Sequence, residues 1–282
     1  MSPIALEAWL AGHPYLEPLA RFTAEVNAAA GEIEAPRAAL PAWEDYASDF
    51  EGGLPLLKSD SVRIDLEPAG EMAMALVRRL SARSAAGGPM TADVSAVESD
   101  LARRPDAPRR VVEWLLGDDS FTPTSPGLLR YLGWTVMARY LLPVVEASAG
   151  WRNDERWLRN YCPTCGSAPA MAQLIGADPG RRRLLSCGCC GTRWQYKRTG
   201  CPFCESDSQR LASVTVEGEA GLRIDYCESC RGYLKTYDGQ GNEAILLSDW
   251  TSLHLDLLAH DRGLKRLAVS LYELGPLLQP QA

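Results

Sequence analysis

Eight of the nine cysteines fall into four CxxC pairs: Cys162/Cys165, Cys187/Cys190, Cys201/Cys204 and Cys227/Cys230. Two cysteines separated by two residues can turn both sulfurs inward from one tight knuckle. Two knuckles joined by a β-hairpin of about 20 residues then complete a tetrahedral shell of four thiolates. The pairs are separated by 21, 10 and 22 residues, and the simplest assignment joins sequential knuckles. One ion is expected on Cys162, Cys165, Cys187 and Cys190, and a second on Cys201, Cys204, Cys227 and Cys230. Cys162 precedes Cys201 by 39 positions and Cys187 precedes Cys227 by 40, which marks an internal repeat, a duplicated ribbon. Four sulfurs in a tetrahedron suit zinc and a rubredoxin-type iron centre equally. The cofactors expected are therefore two tetrahedral thiolate-bound metal ions, zinc or iron.

The ninth cysteine, Cys189, lies inside "CGCC" and is the spare, read as a small residue packed beside the ligands. Arg181, Arg182, Arg183, Arg193, Lys197 and Arg198 surround the second knuckle without an intervening acid. Their expected role is to offset the negative charge of the thiolate centres. With all eight paired thiols committed, each shell is closed, and catalysis at the metal is disfavoured. His13, His254 and His260 are the only histidines and none adjoins a knuckle, so all three are expected as surface or capping residues. No nucleophile elbow, Walker loop or dinucleotide fingerprint is present. Adjacent acids such as Asp118/Asp119 and Glu44/Asp45 read as solvated turns. The chain is expected not to be an enzyme.

These cysteines need a β-rich frame, and the 282-residue chain supplies one only between residues 160 and 240. There, "AQLIG", "RRLLS", "LASVTVE", "LRIDY" and "YLKTY" read as short strands. The region 1–159 reads as a helical domain, with Leu16, Leu19, Phe22 and Val26, then Val111, Val112, Leu115 and Leu116 behind Pro108, at helical spacing. "RAALPAWEDYASDFEGGLPLL" and "SAAGGPM" read as loops on their proline and glycine content. Residues 241–282 are expected as a C-terminal helical segment packing on the body. Ser248 or Asp249 would cap a helix bearing Trp250, Leu253, Leu257 and Leu258, and Leu264, Leu267 and Leu271 would lie on another. The fold class is thus α+β: a helical domain, a tandem zinc-ribbon or rubredoxin-like domain, and C-terminal helices.

The most apolar stretch, "GLLRYLGWTVMARYLLPVVEA", carries Arg130, Arg139 and Pro143 and is expected as a buried helix, without membrane insertion. "MSPIALEAWL" has neither the basic start nor the apolar core of a signal peptide, so a cytoplasmic location is expected. In that compartment paired cysteines more often bind metal than form disulfides. A net charge of −7 with one basic cluster disfavours nucleic acid as a partner.

"CPTCGSAP" at Cys162, "CGCCGTRWQYKRTGCPFC" from Cys187, "CESCRGYLKTY" from Cys227 and the following "LHLDLLAHDRGLKR" together resemble the formate dehydrogenase accessory protein family, FdhE. The resemblance runs from about Asn160 to Arg266. It implies a cytoplasmic helper that binds the catalytic subunit of an exported formate dehydrogenase and assists its maturation before twin-arginine export. It also implies a rubredoxin-like metal region, with the eight paired cysteines matching the family's pairs. Two other readings compete with it: a redox-active iron or dithiol factor, and a zinc-ribbon nucleic-acid adaptor resting on the basic cluster with Trp194 and Tyr196.

Overall fold

Helices occupy the first half of the chain and strands its cysteine-bearing segment in a computed structural model, which describes residues 4–84, 91–118, 120–177, 179–206, 208–219 and 221–273. The helices are α1 (Leu6–Gly12), α2 (Glu17–Gly31), α3 (Trp43–Gly52), α4 (Glu67–Ser84), α5 (Thr91–Ala102), α6 (Ala107–Leu115), α7 (Pro126–Trp151) and α8 (Asp154–Trp157). Strands β1 (Pro169–Ile175), β2 (Arg182–Cys187), β3 (Arg193–Tyr196), β4 (Leu211–Thr215), β5 (Leu222–Cys227) and β6 (Gly232–Asp238) follow. Then come α9 (Glu243–Leu246), α10 (Leu253–Asp261) and the two-residue β7 (Lys265–Arg266). Residues 85–90 of the loop expected over "SAAGGPM", and Asp119, lie outside the described residues.

The chain divides into two compact units, each assembled from separate stretches of the sequence. Among the described residues, one unit combines stretches within 4–14, 42–62 and 149–270, and the other combines stretches within 15–41, 63–148 and 271–273. The second unit is helical. In α2, Leu19, Val26 and Ala30 recur on one buried face, as the periodicity requires. α6 opens with Pro108 in its first turn and buries Val111 and Val112. α7 carries few charges and buries twelve residues from Leu128 to Ser148. Its Arg139 donates to the carbonyl oxygens of Ala30 and Ile33, satisfying acceptors left open where α2 ends. Among the described residues, no helix is long and apolar enough to cross a membrane.

The first unit is built on one mixed sheet in the order β3-β2-β1-β6-β5-β4, with β7 added beside β6. Each half is an antiparallel three-stranded ribbon, and the halves join where β1 runs parallel to β6. The order 3-2-1 beside 6-5-4 is the duplicated ribbon expected from the 39- and 40-residue spacing. β1 and β6 meet at the middle of the sheet and are buried along nearly their whole length, whereas edge strand β4 alternates between exposed and half-buried.

Three expectations require correction. "RAALPAWEDYASDFEGGLPLL" is not all loop: it contains α3, because Tyr46 and Phe50 lie four apart on one buried face and Gly53 ends the helix at φ 82°. The proline and glycine bound this helix rather than interrupt it. Asp249 caps nothing; it starts a short 3₁₀ turn and points inward, and α10 buries Leu255 and Ala259 while Leu257 stays exposed. Leu264, Leu267 and Leu271 form no helix. The chain there runs as β7 beside Gly232 and Tyr233, a ladder that satisfies its backbone in place of a helix.

Candidate metal centres

Each knuckle is held by the backbone before any metal is considered. Cys162 N–H donates to the Ser167 carbonyl and Gly166 N–H returns to the Cys162 carbonyl, both at 2.9 Å. Cys201 N–H to Ser206 (2.8 Å) and Glu205 N–H to Cys201 (3.0 Å) repeat the pattern; Cys187 N–H to Thr192 and Arg231 N–H to Cys227, both 2.9 Å, supply one half of it each. The residue after each second cysteine turns left-handed: Gly166 at φ 81°, Gly191 at 75°, Glu205 at 60° and Arg231 at 60°. Amide N–H groups then point at sulfur, from Cys189 to Cys187 (3.4 Å), from Phe203 to Cys201 (3.4 Å) and from Gly232 to Cys230 (3.3 Å).

The eight paired thiols gather into two groups, Cys162/Cys165/Cys187/Cys190 and Cys201/Cys204/Cys227/Cys230, with the sulfurs of each group within 4.8 Å of one another. In the first group, Cys162 and Cys190, and likewise Cys165 and Cys187, have Sγ atoms 3.5 Å apart. In the second, Cys201–Cys230 is 3.8 Å and Cys204–Cys227 is 3.7 Å. A tetrahedral ion with bonds of about 2.3 Å separates its sulfurs by about 3.8 Å, so the donor set fits one such ion per group. The sulfurs are free thiols. Cys189 is buried but belongs to neither group.

Hydroxyl groups support the sulfurs, a feature the sequence reading missed. Ser167 lies 3.4 Å from Cys165 Sγ, Thr192 3.1 Å from Cys190 Sγ and Ser206 3.1 Å from Cys204 Sγ. The signal is a serine or threonine two positions after the second cysteine of a knuckle, present three times in four. Inside the first group, neighbouring thiols donate to Cys165 and hold it well below the usual thiol range, whereas Cys187 and Cys190 are pushed well above it by the same neighbours and by burial. In the second group the Ser206 hydroxyl and amide lower Cys204 to about 6, and burial raises Cys201 to about 12. Four sulfurs this close cannot all ionise beside one another unless a cation lies among them, which is the condition a metal ion meets.

The basic residues do not form one patch. Arg183 is buried and donates to the carbonyls of Lys197 (2.7 Å) and Gly200, the residue preceding Cys201, with its guanidinium over the Tyr196 ring. Arg181 pairs with Asp238, and Arg193 donates to the Gln173 side chain. Arg182, Lys197 and Arg198 remain exposed. The histidines also depart from expectation: His260 is exposed, but His13 and His254, 241 positions apart in the sequence, come together around Glu219. No local spacing signals that meeting.

No family model matches the chain. It is 32% identical to the FdhE homolog of Pseudomonas aeruginosa over 192 residues, covering 63% of this chain and 60% of that protein. It is 33% identical to the FdhE homolog of Aquifex aeolicus over 145 residues, covering 49% of this chain and 50% of that one. The matches thus span half to three-fifths of these relatives' length. The crystal structure of the FdhE protein from Pseudomonas aeruginosa superposes with a TM-score of 0.60 at 25% identity, covering 89% of this chain and 86% of that chain.

Proposed function

We propose that this chain, similar to FdhE proteins over half to three-fifths of their length, is a non-enzymatic maturation factor for formate dehydrogenase. It binds the catalytic subunit of an exported formate dehydrogenase in the cytoplasm and assists its assembly before twin-arginine export. The observation that carries this reading is the pairing of two complete four-thiol groups on one continuous sheet. Eight sulfurs provide two closed shells and leave no coordination position for a substrate, the mark of structural rather than catalytic sites. The ions, zinc or iron, supply the cross-links that hold the knuckles. The chain's own amides and hydroxyls orient the sulfurs, and the sheet presents a rigid surface to the client.

Anaerobic capture of the tagged protein from its formate-respiring host, with mass spectrometry of the bound proteins, tests the reading. Recovery of a formate dehydrogenase catalytic subunit is expected. Full dehydrogenase activity in cells lacking the chain would sink it.

One observation favours a second reading, a redox-responsive second ribbon. Cys204 is the one exposed sulfur among the eight paired cysteines, so an oxidant in solution can reach it. Under mild oxidant this reading requires metal release from the second ribbon with a Cys201–Cys204 or Cys204–Cys227 disulfide. Retention of both metals and all thiols removes it.

A further inference from the structure

Three donor side chains from distant parts of the chain converge away from the thiol groups. His13 ends α1, Glu219 lies in the turn between β4 and β5, and His254 is in the first turn of α10. Their ligand atoms all lie within 4.8 Å of one another. His13 Nε2 is 3.2 Å and His254 Nε2 is 2.7 Å from the same oxygen, Glu219 Oε1. The Glu219 side chain is 8% exposed, and its other oxygen, Oε2, is buried without a hydrogen-bond partner among the described residues.

Proton positions sharpen the case. His13 Nδ1 lies 2.9 Å from the carbonyl oxygen of Trp9, an atom that only accepts, so Nδ1 carries a proton. A neutral His13 therefore aims the lone pair of Nε2 at a carboxylate oxygen that also offers only lone pairs. Two acceptors at 3.2 Å require positive charge on or between them. A ring nitrogen anchored to a backbone carbonyl, with the other nitrogen facing an acid and a second imidazole, is the arrangement that orients a metal-binding histidine. A tetrahedral ion with bonds of 2.0–2.1 Å separates its nitrogen and oxygen donors by about 3.3 Å. The observed separations reach that by lengthening about 0.1 Å at His13 and about 0.6 Å at His254. The histidine side chains keep 13% and 14% of their surface exposed, which gives an ion and a water molecule a way in.

We propose that His13, Glu219 and His254 form a third metal site that takes a divalent first-row transition ion, zinc fitting best, with two imidazole nitrogens, one carboxylate and a water. Its ligand set differs from the ribbons in both charge and openness. Two neutral histidines and one carboxylate leave a bound Zn²⁺ at +1, against −2 for four thiolates, and one position stays exchangeable. The ion clips α1 and α10 to the hairpin of the second ribbon.

Titration of the full chain with Co²⁺ under anaerobic conditions separates the sites. Cobalt bound by thiolates shows sulfur-to-metal charge transfer, and cobalt bound by nitrogen and oxygen does not. The expected result is an equivalent that adds d–d absorption without charge transfer and that weakens at least tenfold in His13→Gln and in Glu219→Gln, while the thiolate bands and thermal unfolding stay in place. Failure of the wild-type chain to take a sulfur-free equivalent overturns the proposal. So does an equivalent that survives in the His13→Gln/His254→Gln double variant. If the wild-type chain takes none and nitrogen NMR finds His13 protonated on both ring nitrogens above pH 7, the trio is an ion-pair staple and the metal assignment falls.

Discussion

The two ribbons share one knuckle design, yet the first is sealed and the second is open. All four sulfurs of the first group are buried; in the second, Cys204 is exposed and Cys230 half-buried. The cause is what covers them. Leu56 and Leu57 donate their amides to the Pro163 and Thr164 carbonyls of the first knuckle, both at 2.9 Å, and the Tyr46 hydroxyl reaches Pro163 as well. Behind this cover Phe50 stacks on Trp157. The second ribbon is braced instead by charge. Lys235 on β6 meets Asp249 at 2.7 Å and Asp256 at 2.8 Å, and Arg266 on β7 meets the same two acids at 2.7 and 3.0 Å. One fold thus carries an aromatic support and an ionic one, and the two should fail under different conditions.

The largest effect separates the ribbons by removing a ligand from each. Cys162→Ser and Cys227→Ser are each expected to lose one metal equivalent, a site whose apparent binding free energy is on the order of 10 kcal/mol in comparable structural zinc sites. Hydrogen exchange would then distinguish them. The Leu56 and Leu57 amides should lose protection in Cys162→Ser and keep it in Cys227→Ser. In the unaltered chain, a chelator is expected to withdraw metal in two phases, faster from the Cys204 group. A single phase would mean that exposure does not control release.

Acid should distinguish the supports next. Burial works to raise the Asp249 carboxyl, but Lys235 and Arg266 outweigh it and lower it to about 2 from the usual 3.8. A depressed carboxylate contributes stability that is present above its unfolded pKa and lost as pH falls through the folded one. The window is therefore about pH 4 down to about pH 2, and the contribution is roughly 2 kcal/mol. Asp249→Asn should flatten that acid dependence and cost about 3 kcal/mol at neutral pH, because it leaves two cations facing a neutral amide. Chemical unfolding followed at several pH values reads both quantities. Equal acid sensitivity in the wild-type chain and Asp249→Asn would show that the ionic support is not the acid-labile element.

The thiol groups were legible because CxxC is local geometry written in sequence, and the 39- and 40-residue spacing announced the ribbon repeat. Strands β1, β2, β4, β5 and β6 were legible for the same reason, as short apolar or alternating runs between knuckles. What escaped is what forms between distant segments. The cover from residues 42–62 depends on carbonyls of Pro163 and Thr164 that no local pattern in "AWEDYASDF" mentions. Ser248 or Asp249 read as a cap because a serine or acid before an apolar run usually is one; Lys235, 14 positions before Asp249, and Arg266, 17 after it, turn Asp249 inward. His13 and His254 carried no signal of each other.

The smallest expected effects compare the knuckles at their tightest point. The first ribbon places Gly166 and Gly191 at the left-handed positions, and the second places Glu205 and Arg231 there. A left-handed non-glycine residue costs about 1–2 kcal/mol, so Glu205→Gly should return about 1 kcal/mol after the added freedom of the unfolded chain is deducted. Gly191→Ala should cost about 1 kcal/mol, since an added Cβ meets nothing within 4 Å. Gly166→Ala should cost more, because its Cβ would lie 3.2 Å from Pro55 and 3.3 Å from Lys58 in the cover. Equal costs at Gly166 and Gly191 would show the cover to be yielding. Cys189→Ser closes the series at near zero: the backbone amide of Cys189 that donates to Cys187 is kept by the substitution, and Cys189 lies outside both four-sulfur groups, so metal content should stay unchanged. If that variant lost an ion, the sealed ribbon would be using a sulfur outside its four, and the contrast drawn from burial would rest on the wrong ligand set.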